Sequence, residues 1–208
     1  GASEPDRPPA VEDPVAAPPR EDVPWQPFSV KVVHGSLERA AYPVLVGHYQ
    51  ATPLSGAEGF VDRRYGGRLL DRLATDRYPG RIGESLMVEA PRRKHPHRGV
   101  LVLGLGEYGE LTPTTLVKGV RAALVRHALD EADRSEAPPP LELGISSVLL
   151  GATGGQGLSI SSSVRAVVDG VCEANRDLRS RDGQPRAQFV ELELWERNAP
   201  EAELAFLS

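Results

Sequence analysis

The most constraining feature of the sequence is the stretch at residues 99–113, which reads GVLVLGLGEYGELTP. Its continuous apolar run, residues 100–103, is typical of a strand that is covered on both faces. A glycine-rich turn follows, and then Thr112 and Pro113, which suit the N-cap and the first position of a helix. The stretch therefore predicts a buried strand, a glycine turn and a helix that continues to about Asp130.

The remaining segments alternate in the same way between strand and helix patterns. Strands are predicted at 28–34, 43–49, 85–90, 141–150 and 186–196, and helices at 55–73, with a break at the glycine pair 66–67, at 159–178 and at 200–207. Ser55 and Glu58 have the spacing of a capping box. Glu191 and Glu193 alternate with apolar residues, which predicts an edge strand with one wet face. The order predicts an α/β fold of three layers, with a mixed central sheet between helices.

The first part of the chain has a different composition. Eight of the 19 prolines fall within residues 1–27, interleaved with Glu, Asp, Ala and Arg. Such a segment buries too little apolar surface to offset its ordering entropy. We therefore predict a disordered tether at residues 1–26 and a single domain at residues 27–208. Because the chain begins with Gly rather than Met, we interpret it as a piece of a longer protein or as carrying a cloning remnant.

Charge and residue usage exclude several classes of function. The net charge of −5 argues against a general nucleic-acid binder, and the single cysteine, Cys172, excludes a disulfide framework or a cysteine metal site. No apolar run has membrane-spanning length, and no signal peptide is visible, so we expect a cytoplasmic protein without a membrane partner. The five histidines include no pair at helical metal-ligand spacing. We therefore expect no catalytic residue, no metal and no cofactor.

The first glycine loop literally matches a dinucleotide fingerprint through Gly104, Gly106 and Gly109. In that motif the helix starts within the glycines, whereas here it starts about three residues later, at Thr112. The acidic residue expected some 20 positions on would also fall within the same helix. We therefore predict no NAD site, and interpret the glycines as a turn that lets the end of the strand pass close to a neighbouring backbone.

The second glycine loop, residues 151–157, leads directly into a serine-rich helix start. It lacks the Gly-Lys-Ser/Thr ending of a nucleotide-hydrolysing P-loop, but its open N–H groups, the helix dipole and the serine hydroxyls suit a phosphate. The alternative is that Ser159 simply caps the helix and the glycines make a flexible loop. Together the two loops supply the candidate ligand-binding residues, which are Gly104, Gly106, Gly109, Gly151, Gly154, Gly155, Gly157, Ser159 and Ser161.

The order of short motifs resembles that of a known domain. These motifs are VLVGHY at 44–49, Asp62, GGRL at 66–69, YPG at 78–80, IGESL at 82–86 and GVLVLGLGE at 99–107. Over about residues 42–130 they resemble the N-terminal domain of the zinc-dependent leucine aminopeptidases. The resemblance implies a macro-domain-like fold. The zinc ligands and catalytic residues of that family lie in its C-terminal domain and match nothing in this sequence, so none is assigned here.

The resemblance also implies a range of functions. In the aminopeptidases this domain serves assembly and regulation, whereas true macro domains bind ADP-ribose or related nucleotides through glycine loops. The second loop and the helix after it also look like stand-alone versions found beside CHAT protease modules in bacteria. We therefore predict a non-catalytic binding or regulatory module of a larger bacterial protein, with a nucleotide-like ligand. The alternatives are an assembly or protein-interaction domain, such as a homo-oligomer, and hydrolysis of an ADP-ribosyl or phosphate ester.

Overall fold

The computed structural model describes residues 27–91, 99–152, 157–180 and 185–208. The predicted tether at 1–26, the basic loop at 92–98 and two of the candidate glycines, Gly154 and Gly155, lie outside the described residues. Within them, the elements in chain order are β1 (Ser29–His34), a 3-10 helix (Leu37–Arg39), β2 (Val44–His48), α1 (Gly56–Arg64), α2 (Arg68–Ala74), β3 (Ser85–Glu89), β4 (Gly99–Gly104), α3 (Pro113–Arg134), β5 (Leu141–Val148), α4 (Ile160–Ser180), β6 (Ala187–Glu196) and α5 (Ala199–Phe206).

In the described part of the chain, six strands form one mixed sheet in the order β1-β6-β5-β2-β4-β3. Neighbouring strands are parallel from β1 to β4, and β3 pairs with β4 in the antiparallel sense. The parallel strands consequently end together at one side of the sheet, which we call the carboxyl edge. The connections that leave this edge are where ligands bind in open α/β sheets.

Helices cover both faces of the sheet and complete three layers. On one face, α3, α4 and α5 pack against residues such as Leu103, Ile145 and Leu192. On the other face, α1 and α2 cover a smaller core that includes Val46 and Val102. Strand β4 is buried along its whole length, as its apolar run predicts. The predicted three-layer α/β fold with a mixed central sheet is therefore confirmed.

The start of α3 forms as the sequence predicts. The Thr112 hydroxyl accepts a hydrogen bond from the backbone N–H of Thr115 at 3.1 Å, and the Thr115 hydroxyl closes a reciprocal bond to the Thr112 N–H. Pro113 occupies the first turn, where no backbone donor is needed. This cap fixes where the first glycine loop ends and the helix begins. No helix within the described ranges has both the length and the apolar character that are needed to cross a membrane.

The predicted capping box at the start of α1 is wrong. Ser55 is the N-cap residue, but its side chain makes no capping hydrogen bond. The Glu58 side chain points instead toward the sheet, where it contacts His48 and Tyr78, 10 and 20 positions away along the chain. A buried histidine and tyrosine thus hold the carboxylate that a local pattern had assigned to the helix end.

The prediction that β6 is an edge strand is also wrong, because β6 lies between β1 and β5. Its polar residues have different environments. Glu191 pairs with Lys31 on the neighbouring edge strand β1 and stays partly in water. Glu193 is buried, and its Oε2 atom accepts hydrogen bonds from the hydroxyl of Ser146 and the indole of Trp195. The alternation of charge and apolar residues therefore marks a buried carboxylate rather than a solvated face.

Candidate functional site

Two adjoining cavities open at the carboxyl edge, and we call them together the cleft. The first, of about 240 Å³, lies between the ends of β1, β5 and β6 and the start of α1. The second, of about 110 Å³, lies between the ends of β2 and β5 and the same helix start. Both are lined by Gly56, Ala57, Val148 and Leu149, so the two cavities are neighbours along the edge of the sheet.

The first cavity has aromatic and aliphatic walls. Trp195, at the end of β6, and Phe60, on α1, line it together with Leu37. The Trp195 indole N–H donates to Glu193 at 2.9 Å, and the same carboxylate oxygen accepts from the backbone N–H of Ala41 at 3.1 Å. The indole ring is thus held in one orientation by a buried acceptor. Such a slot can receive a planar ring, because aromatic faces stack favourably.

The second cavity is more polar. Glu58, Tyr49 and Thr52 line it, and Gly151, the first residue of the second glycine loop, forms another part of its wall. The Thr52 hydroxyl donates to the Tyr49 carbonyl at 2.7 Å and closes the turn after β2. Burial raises the pKa of Tyr49, and the neighbouring Tyr108 adds to the effect. Tyr49 therefore presents a neutral hydroxyl to the cavity at ordinary pH.

A buried cluster of polar residues lies directly behind this cavity. Nδ1 of His48 is 3.0 Å from one carboxylate oxygen of Glu58 and 3.2 Å from the other, and the Tyr78 hydroxyl donates to Glu58 at 2.8 Å. The rings of His48 and Tyr78 meet edge to face, 4.8 Å apart. Burial raises the pKa of Tyr78 well above its usual range, and Glu58 raises it further. The cluster ties the start of α1 to the end of β2 and to the turn before β3.

The first glycine loop is built for close backbone contact. A Cβ atom at Gly104 would lie 2.1 Å from the carbonyl oxygen of Arg81, which confirms the predicted close approach to a neighbouring backbone. The N–H groups of Gly104 and Gly106 already donate to the carbonyls of Glu84 and Gly80. Gly106 and Gly109 have φ angles of +81° and +93°, where glycine is favoured. Among these candidates, Gly104 and Gly106 thus use their amides to hold the turn.

The second glycine loop is closed at its base. The backbone N–H of Leu158 donates to the carbonyl of Gly151 at 2.8 Å, and Gly151 has a φ angle of +72°. Gly157 and Ser161 lie on either side of the start of α4. The Ser159 hydroxyl accepts from the backbone N–H of Ser162 at 3.1 Å, so Ser159 does cap this helix.

One serine of this helix start has an unusual environment. The Ser163 side chain is fully buried, and its hydroxyl has no hydrogen-bond partner among the described residues. Buried hydroxyls are almost always paired, because an unpaired one costs about 1–3 kcal/mol. Ser163 is therefore a polar group that the described part of the protein leaves unsatisfied, one turn into the helix that follows the second glycine loop.

The structure brings the two glycine loops together at the carboxyl edge. A Cβ atom at Gly151 would lie 2.4 Å from Cδ2 of Leu111, which ends the first loop, and 3.5 Å from the hydroxyl of Tyr49. The sequence patterns did not single out Trp195 or Tyr49 as parts of a site. The sequence nevertheless contains a signal for both residues. Tyr49 directly follows an apolar strand and Trp195 lies at the end of one, and ligands bind at these ends of parallel strands.

Other chemistry-bearing residues lie away from the cleft. Cys172 is half-buried on α4, and burial raises the pKa of its thiol, which favours the unreactive form. His127 is buried on α3, and burial lowers its pKa. Within residues 27–91, 99–152, 157–180 and 185–208, no three or more His, Cys, Asp or Glu side chains are grouped so that they could hold a metal ion.

The sheet order, the helical layers and the cleft at the carboxyl edge define a macrodomain-like α/β fold. Residues 45–135 match the model of the cytosol aminopeptidase family, N-terminal domain. A probable cytosol aminopeptidase of Methylobacillus flagellatus is 36% identical over 91 residues, which are 43% of this chain and 18% of that protein. The chain thus spans less than a fifth of the length of this curated relative. The resemblance that the sequence motifs predict is confirmed.

Solved structures extend the likeness to nearly the whole described fold. A mutant of tomato leucine aminopeptidase has a TM-score of 0.57 at 16% identity, over 90% of this chain and 36% of that one. The Trypanosoma brucei macrodomain, solved with ADP and with ADP-ribose, has TM-scores of 0.58 and 0.57 at 20% and 19% identity. Its match covers 85% of this chain and 66% and 67% of that chain. At these identities the likeness shows the fold.

Proposed function

We propose that the protein is a non-catalytic, macro-like module that binds a nucleoside diphosphate ligand of the ADP-ribose type in the cleft. One observation carries the proposal: an apolar aromatic cavity and a more polar cavity adjoin at the carboxyl edge, beside the loop that leads into α4. The order of these surfaces (the apolar cavity, the polar cavity and the loop before α4) matches the order of base, sugar and diphosphate in such a ligand. Macrodomain structures with ADP and ADP-ribose share the fold.

The base is assigned to the first cavity. Its walls include Trp195 and Phe60 together with aliphatic residues such as Leu37, and the charged residues Glu196 and Arg197 also line it. Stacking of a base on an aromatic side chain is worth about 1–3 kcal/mol in nucleic-acid-binding proteins. Because Glu193 holds the indole in place before any ligand arrives, little rotamer entropy is lost when a ring enters.

The diphosphate is assigned to the second glycine loop and the start of α4. The helix has 21 residues, and its N-terminus offers open N–H groups and the positive end of the helix dipole. Gly151, Gly157 and Ser161 belong to this segment, as do Gly154 and Gly155 by sequence. The unpaired hydroxyl of Ser163 is a second donor that lies close behind it. Gly109, in the first loop, stays a secondary candidate for contact with the ligand.

A thermal unfolding series tests the proposal. ADP-ribose at about 100 times its dissociation constant should add about 2.7 kcal/mol to the unfolding free energy. For a domain of this size, that gain raises the melting temperature by roughly 5–10 °C. Phe60→Ala should reduce the shift because it removes one wall of the base cavity. An unchanged melting temperature with ADP-ribose, ADP, NAD and ATP would overturn the ligand proposal.

The matched control removes an exposed aromatic residue that lines neither cavity of the cleft. Phe206, on α5, is 75% exposed, so Phe206→Ala should leave both the fold and the ligand shift unchanged. Turnover of an ADP-ribosylated peptide by the wild-type protein would contradict the non-catalytic part of the proposal. It would favour the hydrolase alternative, with the buried Glu58, which lines the second cavity, as a candidate acidic group.

A second candidate function, assembly with another domain or copy, is favoured by exposed apolar residues near the C-terminal helix. Leu204, Phe206 and Leu207 are each more than half exposed, and Val30 on the edge strand β1 is 43% exposed. Exposed apolar clusters are common at protein contacts. The partner would be another domain of a larger bacterial protein, such as a CHAT-type protease, or a second copy of the chain. Light scattering should then show association that Phe206→Ser abolishes.

A further inference from the structure

Strand β1 forms one edge of the sheet. Among the described residues it pairs with β6 on one side and with no strand on the other. The backbone N–H of Gly35, directly after β1, donates to the Glu196 carbonyl at 3.0 Å, so the backbone groups of Gly35 face β6. Because these groups alternate in direction along a strand, those of Val30 and Val32 face away from β6. β1 therefore presents open N–H and C=O groups, to which a further strand can pair.

The two edges of the sheet differ in how charged side chains protect them. At the other edge, β3, the Arg68 guanidinium donates to the Glu89 carbonyl at 3.4 Å, and the Glu89 side chain pairs with Arg134. On β1, Lys31 pairs with Glu191 of β6 at 2.5 Å, so its ammonium group lies over the sheet. Charged side chains on an edge usually keep a second chain from pairing with it. On β1 that charge is directed inward, away from the open side.

Exposed apolar side chains lie beside this open edge. Val30 is 43% exposed, and it lies on the same face of β1 as Val32, which packs against the core beneath α5. α5 begins after β6 at the carboxyl edge and packs over β1 and β6. Its eight residues span about 12 Å, and Val30 lies four residues, about 13 Å, before the end of β1. The end of α5 therefore lies level with Val30, and its exposed side chains there are those of Leu204, Phe206 and Leu207.

We propose that β1 pairs with β1 of a second copy of the chain, antiparallel and around a two-fold axis that passes between the two Val30 residues, perpendicular to the sheet. Backbone hydrogen bonds then join the two Val30 residues, which lie directly opposite each other, and join Phe28 of each copy to Val32 of the other. Both α5 helices lie on the same face, so their exposed ends meet across the axis. The two sheets become one continuous sheet.

The charge and packing of β1 favour this position of the axis. An axis at Lys31 would place two lysines directly opposite each other, and like charges in that arrangement destabilise a strand pair. An axis at Val32 would centre the contact on a side chain that is already packed against the core of its own copy. With the axis at Val30, Lys31 lies opposite Ser29 of the second copy, and the exposed valine side chains bury each other.

A second copy matches both parts of this surface at once. A two-fold contact needs a self-complementary surface, in which the same patch of each copy meets the other. Here the open strand edge pairs with the same edge, and the apolar end of α5 packs on the same end. Stable interfaces bury about 800 Å² on each partner, so a strand edge about 20 Å long needs the additional contact of α5. Because the contact is small, we expect a dissociation constant in the micromolar range.

The inference rests on the assembly function proposed above and deepens it, because it names the partner and the surface. It does not depend on a ligand in the cleft. Since the paired β1 strands run in opposite directions, the carboxyl edges of the two copies lie at opposite sides of the joined sheet. The two clefts therefore face opposite directions.

Disulfide cross-linking in a Cys172→Ala background tests the pairing and its register. Val30→Cys, oxidised with diamide, should give a covalent dimer of twice 22.4 kDa. The Cα atoms of directly opposite, hydrogen-bonded residues are about 5.5 Å apart, which suits a disulfide. Lys31→Cys is the matched control. With the axis at Val30, the two residues at position 31 are displaced along the strands, beyond the roughly 7 Å that a disulfide can bridge.

Light scattering over a series of protein concentrations tests the dimer without added cysteines. The mass of the wild-type protein should rise from 22.4 kDa toward twice that value. Val30→Lys should stay a monomer, because it places two ammonium groups opposite each other across the axis. Leu70→Lys, which adds a lysine at an exposed apolar residue of α2, should dimerise as the wild type does. Since both replaced residues are exposed, circular dichroism should show that both variants are folded.

The outcomes separate the strand pairing from the assembly function on which it rests. If the wild-type protein stays a monomer at every concentration, the pairing is overturned, and assembly then requires another domain as the partner. If the protein associates but Val30→Lys associates equally well, the pairing is overturned and self-association uses another surface. Cross-linking of Lys31→Cys in place of Val30→Cys would overturn the position of the axis. The light-scattering result of the wild-type protein tests the pairing even if a variant does not fold.

Discussion

The Oε2 atom of Glu193 lies 2.9 Å from the indole nitrogen of Trp195, and the Ser146 hydroxyl donates to the same oxygen at 2.7 Å. A buried carboxylate thus fixes an aromatic wall of the cleft and joins β5 to β6. A buried polar group costs free energy unless it is paired by a hydrogen bond. Here the Ser146 hydroxyl and the Trp195 indole N–H both depend on the same acceptor, the carboxylate of Glu193. Stability and the shape of the first cavity are therefore linked through Glu193.

Glu193→Ala should strongly destabilise the protein. It leaves the hydroxyl of Ser146 and the indole N–H of Trp195 without their acceptor, and hydrogen bonds to a charged group are worth about 1.5–3 kcal/mol each. We expect a loss of about 3 kcal/mol in the unfolding free energy, measured by urea denaturation. Glu191→Gln is the matched control on the same strand. An equal loss in both variants would contradict the role of Glu193, because the ion pair of Glu191 with Lys31 is partly in water and contributes little to stability.

Gly104→Ala should disrupt the end of β4. The new Cβ atom would lie 2.1 Å from a backbone oxygen, that of Arg81, and neither chain segment can move away cheaply. We expect a loss of roughly 3 kcal/mol or more in the unfolding free energy. Gly59→Ala on α1 is the control, since the nearest atom to its added Cβ is 3.6 Å away. That change should be neutral or stabilise by about 0.5–1 kcal/mol, because alanine favours a helix.

The parts of the fold that could be predicted from the sequence are those fixed by local contacts. The strand at 99–104, the cap at Thr112 and the break between α1 and α2 depend on residues that are close along the chain. The order of the strands depends instead on contacts between residues far apart along the chain, since β6 pairs with β1 and β5 across more than 40 intervening residues. A charged residue that alternates with apolar ones fits two arrangements: an edge strand with a solvated face, or an internal strand whose carboxylate is a buried hydrogen-bond acceptor. The sequence pattern alone does not distinguish them.

The sequence predicted that the two glycine loops follow buried strands, and the structure has them after β4 and β5, at the carboxyl edge. That their residues bind a ligand stays a prediction. Glycine patterns pointed to the carboxyl edge, because glycine is needed there for tight turns. They could not show that the amides of Gly104 and Gly106 are already paired with distant carbonyls. Nor could a pattern show that Glu58 contacts His48 rather than the helix end. These contacts are set by tertiary packing, which overrides local capping preferences.

The alkaline limb of the stability curve should depend on Tyr65. Burial raises its pKa to about 12 in the folded protein, from an ordinary value of 10.0. Above pH 10 the unfolded chain releases this proton while the folded protein keeps it, so the unfolding free energy falls as the pH rises from 10 to 12. Tyr65→Phe should flatten the decline over that interval. Below pH 9 the two proteins should show the same slope, because the hydroxyl is protonated in both states.

Glu58 and Tyr78 should be energetically coupled. The Tyr78 hydroxyl donates to Glu58 at 2.8 Å within a buried cluster, so removal of either group weakens the same interaction. A double-mutant cycle with Glu58→Gln and Tyr78→Phe should give a coupling free energy of about 1–2 kcal/mol. Glu38→Gln combined with Tyr78→Phe is the control, since Glu38 pairs with Arg64 at the surface. Additive losses in the first cycle would show that the hydrogen bond contributes nothing specific.

Ser163→Ala should separate stability from ligand binding. The buried hydroxyl has no partner among the described residues, so its removal should leave the unfolding free energy of the free protein unchanged or raise it by about 1 kcal/mol. The same change should weaken ADP-ribose binding if the hydroxyl donates a hydrogen bond to the phosphates, and calorimetry would measure that loss.

Ser147→Ala is the matched control, because the Ser147 hydroxyl, equally buried, donates to the Val148 carbonyl at 2.8 Å. It should lower stability by about 1 kcal/mol. A loss of stability in Ser163→Ala as large as in Ser147→Ala would mean that Ser163 is paired in solution, and that it is not a group reserved for a ligand.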